Sequence, residues 1–249
     1  MKFRKFLLLP LFILLVVHPA KSNPEKKIIN KVWKALGGKK NWEHSHYLSF
    51  IFEQEINNQV TISRSHYWDR KTGNYRLETT QKDGSELLVL FNINSKTGQA
   101  FINKTKVLSD SLNLHLIDKA FSFYINDSFW LLAPTMLDEP DIAIQKEMGI
   151  IINNKKYYCL KISPRSETAK MPIGQYWLFI DIRSGEIIRW NYLLKAQKGN
   201  AEVADWLPYK KIGDMKFSTE KIGVSGNFAI RFPAFKISSN MDENIFIHP

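Results

Sequence analysis

Three turns of one design constrain this chain more than any other feature. Asp69-Arg-Lys-Thr-Gly73, Asn94-Ser-Lys-Thr-Gly98 and Asp181-Ile-Arg-Ser-Gly185 each stand between runs in which apolar residues alternate. Asp or Asn starts such a turn by bonding its own backbone, and Gly takes the left-handed position at its end. Leu48, Phe50, Phe52 and Ile56, then Val60, Ile62, His66 and Trp68, alternate with polar or smaller residues at the period of a strand. Further turns are signalled at Lys82-Asp-Gly84, Asn153 to Lys156, Lys198-Gly-Asn200, Gly213-Asp214 and Ser225-Gly-Asn227. The pattern predicts an antiparallel meander of roughly ten or eleven strands. Seven Trp, nine Tyr and sixteen Phe fit that class, because aromatic side chains favour strands and apolar pockets.

Two stretches depart from period two. Residues 23 to 36 place Ile28, Ile29, Val32, Trp33 and Leu36 at helical spacing, with Pro24 suited to a first turn and Gly37-Gly38 to a stop. One helix is predicted there, lying against the sheet. Between Ser109 and Leu137 the spacing is partly helical and partly irregular. Asn126-Asp-Ser128 is a candidate cap for a short helix through Phe129, Trp130, Leu131 and Leu132, ended by Pro134. No Gly/Ser-rich or Pro-rich linker flanks this insert, so residues 23–249 are read as a single domain with a helical insert near 109–137.

The first 22 residues carry Lys2, Arg4 and Lys5, then an apolar run from Phe6 to Val17, then Ala20-Lys21-Ser22. That is the layout of a secretory signal peptide, too short in its apolar part to cross a hydrocarbon core of roughly 30 Å. The expectation is an exported protein, periplasmic or secreted and soluble after cleavage. Cys159 is the single cysteine, so no internal disulfide supports the fold. At this length the chain buries roughly 70% of its unfolded surface and needs none. In alternating sequence Cys159 reads as a small buried hydrophobe. The net charge of +11 falls to +7 once the four cations of the leader are removed, and the remaining Lys and Arg are interspersed with Asp and Glu. The runs that nucleic-acid arms show are missing, so no nucleic-acid partner is expected. A transient contact with a membrane surface is compatible with this charge.

Catalytic signatures do not emerge. His44-x-His46 supplies two imidazoles where a tetrahedral metal site wants three or four ligands, so neither metal nor cofactor is expected. Gly223-Val-Ser-Gly226 lies between strand-like runs and reads as a turn, unlike the strand-to-helix elbow of a hydrolase. Glu53 and Glu55 share a strand face opposite Phe50 and Phe52, which is the solvent side of an amphipathic strand. Gln175 to Ile180, Ile187 to Leu194 and Phe228 to Phe232 are apolar on both alternating faces in places. Either a thick core or a concave sheet around a cavity needs that.

Ala35-Leu-Gly-Gly38 followed by Trp42, His66 to Gly73 with Tyr75-Arg76, Asn126 to Pro134, Tyr176 to Asp181 with Ser184-Gly185, and Phe217 to Glu220 span most of the chain. Through them it resembles a family of exported bacterial proteins related to the periplasmic lipoprotein carriers of the LolA and LolB type, differing by extra residues around 138 to 172. The resemblance implies an unclosed antiparallel β half-barrel of about eleven strands, with helices covering its concave face and an apolar cavity between them. It implies a non-enzymatic carrier of a hydrophobic small molecule, lipid or lipoprotein, monomeric, with the helix at Phe129 to Leu132 in the lid. An envelope-stress sensor or partner-binding module on the same fold is the alternative, and an exported hydrolase or sugar-binding protein a second, which would need a polar cleft. The expected cavity lining is Phe50, Phe52, Trp68, Phe91, Phe129, Trp130, Leu131, Trp177, Phe179 and Trp190.

Overall fold

The computed structural model describes residues 24–167, 169–196 and 198–249, so the leader read over residues 1–22 lies outside the described residues. The chain opens with α1 (Pro24–Leu36), whose buried face is Ile28, Ile29, Val32, Trp33 and Leu36 as the spacing requires. Gly37 and Gly38 end it with φ of 102° and 104°. A short α2 (Lys39–His44) follows, which the sequence pattern did not announce.

The strands are β1 (Tyr47–Ile56), β2 (Gln59–Asp69), β3 (Asn74–Thr80), β4 (Glu86–Asn92), β5 (Thr97–Ile102), β6 (Thr105–Lys106), β7 (Ile142–Ile152), β8 (Lys155–Pro164), β9 (Gly174–Asp181), β10 (Ile187–Leu194), β11 (Glu202–Trp206), β12 (Lys210–Ile212), β13 (Met215–Phe217), β14 (Glu220–Gly223), β15 (Phe228–Arg231) and β16 (Phe235–Ser238). Fourteen of them form one sheet in the order β6-β5-β4-β3-β2-β1-β15-β14-β11-β10-β9-β8-β7, with β16 beside one end of β1, and β12 pairs β13 separately. Every pairing is antiparallel, and the sheet ends in β6 and β7 without closing. The architecture is the expected open, mainly antiparallel sheet with helices. The strand number exceeds eleven because β6 and β11 to β16 are pieces of two to five residues, too short for a period to show.

Two of the three repeated turns form as predicted: the Asp69 and Asp181 side chains each accept backbone N–H groups two and three residues on, and Gly73 and Gly185 have φ of 83° and 78°. The third is displaced by two residues. Asn92, not Asn94, accepts from the Asn94 and Ser95 N–H groups, and Lys96 takes the left-handed position at φ 55°. Gly98 is instead within β5, where a Cβ would come 2.1 Å from the Leu90 carbonyl oxygen, so close approach of backbones explains that glycine.

The insert is also simpler than its sequence suggests. It is one helix, α3 (Asp110–Leu132), capped by the Ser109 hydroxyl accepting from the Leu112 N–H and ended in a 3₁₀ turn (Ala133–Met136) that contains Pro134. Asn126-Asp-Ser128 therefore caps nothing. Asp127 and Ser128 are buried within the last third of the helix, Ser128 satisfied by the Tyr124 carbonyl. Leu116, Ile117, Ala120 and Tyr124 of α3 pack on Tyr75, Leu77, Val89 and Phe91, forming one core. Phe129, Leu131 and Leu132 join α1 and the strands from β8 to β15 in the other. Trp68 packs against both. Along the free edge, the Glu25 carboxylate of α1 accepts the Lys146 N–H of β7.

Candidate functional site

On the concave face, strand alternation turns Arg64 and His66 of β2 and Tyr75 of β3 toward α3, where Asp127 meets them. The Asp127 carboxylate accepts from Arg64 Nε at 2.5 Å and Nη2 at 2.9 Å, a two-pronged pair that fits the planar guanidinium. His66 Nε2 lies 3.1 Å from Asp127 Oδ2, and its Nδ1 2.8 Å from the Tyr75 hydroxyl. The arrangement that satisfies all of these has a neutral imidazole, donating from Nε2 to the carboxylate and accepting at Nδ1 from the phenol. Asp127 and His66 are wholly buried. Burial pushes Asp127 up, but hydrogen bonds from His66 and Arg64 outweigh it and hold the carboxyl below its ordinary value. Burial lowers His66 against the pull of Asp127, and Arg64 lowers it further. Aromatic rings pack around the network: Arg64 lies 4.1 Å from the Phe123 ring centre and 4.9 Å from that of Phe52, and Phe50 stacks on His66 at 4.5 Å.

Helical periodicity sends Asn126 and Trp130 to one flank of α3 and Tyr124 and Leu132 to the other. The first flank borders a cleft of about 620 Å³, whose walls include Phe52, Ile62, Trp130, Tyr192, Phe228 and Ile230, with Arg64 and Asn126 also exposed to it. The second borders a cleft of about 400 Å³ containing Trp42, Trp68, Arg70 and Tyr124. Residues 138 to 172 contribute Glu139, Asp141, Ile142 and Lys170 to this second cleft.

The ten expected lining residues fall into three groups. Phe50, Phe52, Phe129, Leu131 and Trp190 are buried in one core, and Trp130 packs against it half-buried. Phe129 stacks on Trp190 at 5.6 Å and Trp130 meets Trp190 edge-on at 4.7 Å. Phe91 belongs to the other core, and Trp68 joins the two. Trp177 and Phe179 are not brought to this face. Tyr176, Leu178 and Ile180 are the inward residues of β9, so the period of two sends Trp177 and Phe179 outward. There Trp177 lies 5.2 Å beneath Lys161, and Phe179 is paired with Cys159 and Arg189. Cys159 is buried, and burial raises its thiol to about 11, the state of an inert packing residue.

Sequence reasoning missed Arg64, Asp127 and Arg70. The signal for the first was parity, since Arg64 shares a strand face with His66 and Trp68. Asp127 falls three and four residues from Tyr124 and Leu131, within the apolar stripe of α3.

No protein-family profile matches the sequence, and no curated protein sequence matches it. Solved structures do match in shape. A LolA superfamily protein from Nitrosomonas europaea matches over 89% of this chain and 96% of its own, at 12% identity and a TM-score of 0.50. A DUF1329 family protein from Desulfovibrio piger matches over 90% and 97%, at 10% identity and a TM-score of 0.49. A putative outer membrane lipoprotein-sorting protein domain from Vibrio parahaemolyticus matches over 88% and 94%, at 10% identity and a TM-score of 0.46. The open sheet with α3 across its hollow is thus a lipoprotein-carrier-like fold, similar to that of the LolA superfamily.

Proposed function

We propose that this protein is a non-enzymatic, exported carrier that holds a hydrophobic ligand, a lipid or the acyl chains of a lipoprotein, between α3 and the concave face of the sheet. The observation that carries the reading is the 620 Å³ cleft beside α3, apolar and aromatic on most of its walls, with a helix above it attached through a buried ion pair. Its volume is within the range of sites that enclose small ligands. Among the described residues no helix is long and apolar enough to cross a membrane.

A carrier needs no reactive group. Burying acyl methylenes releases about 0.8 kcal/mol each, so a fourteen-carbon chain supplies roughly 11 kcal/mol gross. Reversible delivery requires that most of this be offset by displacing α3 and ordering the chain. The Arg64–Asp127 pair suits that task, because both ions regain hydration when the helix lifts, whereas a purely apolar seam would expose hydrocarbon. Trp130, half-buried on the helix flank, then belongs to both lid and site.

The test is mass spectrometry of organic extracts of the protein purified from its native envelope, against a mock purification, together with uptake of a fluorescent fatty acid. Enriched acyl lipid with saturable uptake is the expected result. A ligand-free protein that takes up no fatty acid would overturn the reading and make the concave face solid core.

A further inference from the structure

The second cleft, on the opposite flank of α3, has a different chemistry. Arg70 follows β2 directly and is held rigidly there. Its Nη1 donates to the Trp42 carbonyl at 2.6 Å and the Ser45 carbonyl at 2.7 Å, and its guanidinium lies 3.8 Å from the Trp42 ring centre and 5.8 Å from that of Trp68. No carboxylate among the described residues comes within ion-pair distance of it. Nε and Nη2 therefore remain as donors on a cation that is already positioned. The Trp68 indole N–H, in the same wall, is buried without an acceptor.

A buried donor without a partner is costly, so the orphaned Trp68 indole N–H, beside a positioned cation that lines the same cleft, points to an acceptor supplied from outside the protein. The rest of the lining is of different character: Glu139 and Asp141, both exposed, Lys170, whose ammonium reaches the Asn94 side chain, and the apolar Leu132, Met136 and Ile142. The two cations and two carboxylates balance, so a bare anion would leave the cleft negatively charged, and a ligand bearing both charges would leave it neutral.

We propose that this cleft binds a zwitterionic head group, an oxyanion with an ammonium close by, the oxyanion taken by Arg70 and the Trp68 indole N–H and the ammonium by Glu139 and Asp141. The apolar floor would receive the first part of a hydrocarbon stem, and an amine-bearing phospholipid or its free head carries this chemistry. The inference does not rest on the acyl-chain site: Trp130 lines only the first cleft and Trp68 only the second, so fatty-acid uptake by Trp130→Ser reports the one and the Trp68 indole signal the other, and either reading can fail while the other stands.

The experiment is isothermal titration of the purified protein with dihexanoyl phosphatidylethanolamine, dihexanoyl phosphatidylglycerol and free phosphoethanolamine. It is followed in parallel by the NMR signal of the Trp68 indole N–H, assigned with Trp68→Phe. The ethanolamine lipid should move that signal and bind about tenfold more tightly than the glycerol lipid, the selectivity expected of complementary charge. Phosphoethanolamine binding as tightly as the lipid would support the same site with the free head as its ligand. Glu139→Gln with Asp141→Asn, both at exposed positions, should reduce the preference to about twofold or less, and Arg70→Lys should weaken both lipids. Because Arg70 also anchors α2, the carboxylate variant decides if Arg70→Lys fails to fold. Equal affinity for the two lipids in the unaltered protein, or binding that leaves the Trp68 indole unmoved, would overturn the proposal.

Discussion

Arg64 and Asp127, 63 residues apart in sequence, join the centre of β2 to the last third of α3 through two parallel hydrogen bonds inside an aromatic shell. Removing one partner leaves the other charge buried and alone. Asp127→Leu alone is expected to cost about 3–5 kcal/mol of unfolding free energy, while Arg64→Met combined with Asp127→Leu should cost less than either single change. Urea unfolding of the three variants checks this, and additive losses would show that the two residues do not act as a pair.

The same network sets a pH dependence. His66 is depressed below its ordinary value of about 6.5, so at mildly acid pH the unfolded chain binds a proton that the folded chain refuses. Its contribution to stability is fully present above about pH 6.5 and is lost as the pH falls toward the depressed value. Asp127 is depressed too, so its contribution is present above about pH 3.9 and is lost in more acid solution. Stability should fall from pH 7 to pH 5. His66→Gln, which can keep both hydrogen bonds, should flatten that interval without removing the acid loss. Urea midpoints measured across the range decide it.

Trp130 and Trp190 touch, yet they should respond differently. Trp190 is fully buried, and Trp190→Ala is expected to cost about 3–5 kcal/mol in stability. Trp130 is half-buried on the cleft wall, so Trp130→Ser should weaken fatty-acid uptake about tenfold or more at a stability cost of about 1–2 kcal/mol. Equal loss of uptake and stability in Trp130→Ser would remove α3 from the lid.

Lys221 is completely buried, its ammonium nitrogen 2.5 Å from the Ser218 carbonyl and 4.4 Å from the Trp206 ring centre, and desolvation holds it well below the ordinary lysine value. A base depressed in this way lowers stability at neutral pH and ceases to do so above about pH 10. Lys221→Met, similar in size and apolar, should stabilise the protein by about 1 kcal/mol or more at pH 7, with the gain shrinking at high pH. Thermal unfolding at pH 7 and pH 10 measures both.

Period-two runs and the face of α1 were legible because each is long enough for its pattern to repeat, and the open antiparallel sheet follows from them. The concave face was legible only in part. Phe50, Phe52, Phe129, Leu131 and Trp190 are large apolar residues that a core collects, and they meet there. Trp177 and Phe179 went astray because β9 is apolar on both faces, so hydrophobicity does not say which parity points inward. The length of α3 was hidden by Asn126-Asp-Ser128, three residues that favour caps in isolation. Asp127 tolerates the helix interior because its partners, Arg64 and His66, arrive from a strand that local sequence does not reveal.

An unclosed sheet gives α3 a hollow to lie in, and it also leaves β7 as a free edge. Glu25 occupies the Lys146 N–H and so blocks one hydrogen-bonding position on that edge. Farther along β7, Met148 and Ile151 are 88% and 65% exposed beside Ile150 and Ile152. Although the β7–β8 register shifts between Glu147 and Ile150, this is an exposed apolar strand end of the kind that recruits further strands. In concentrated solution this hairpin is where chains would begin to add to one another, and a lysine at Ile151 is the simplest guard against it.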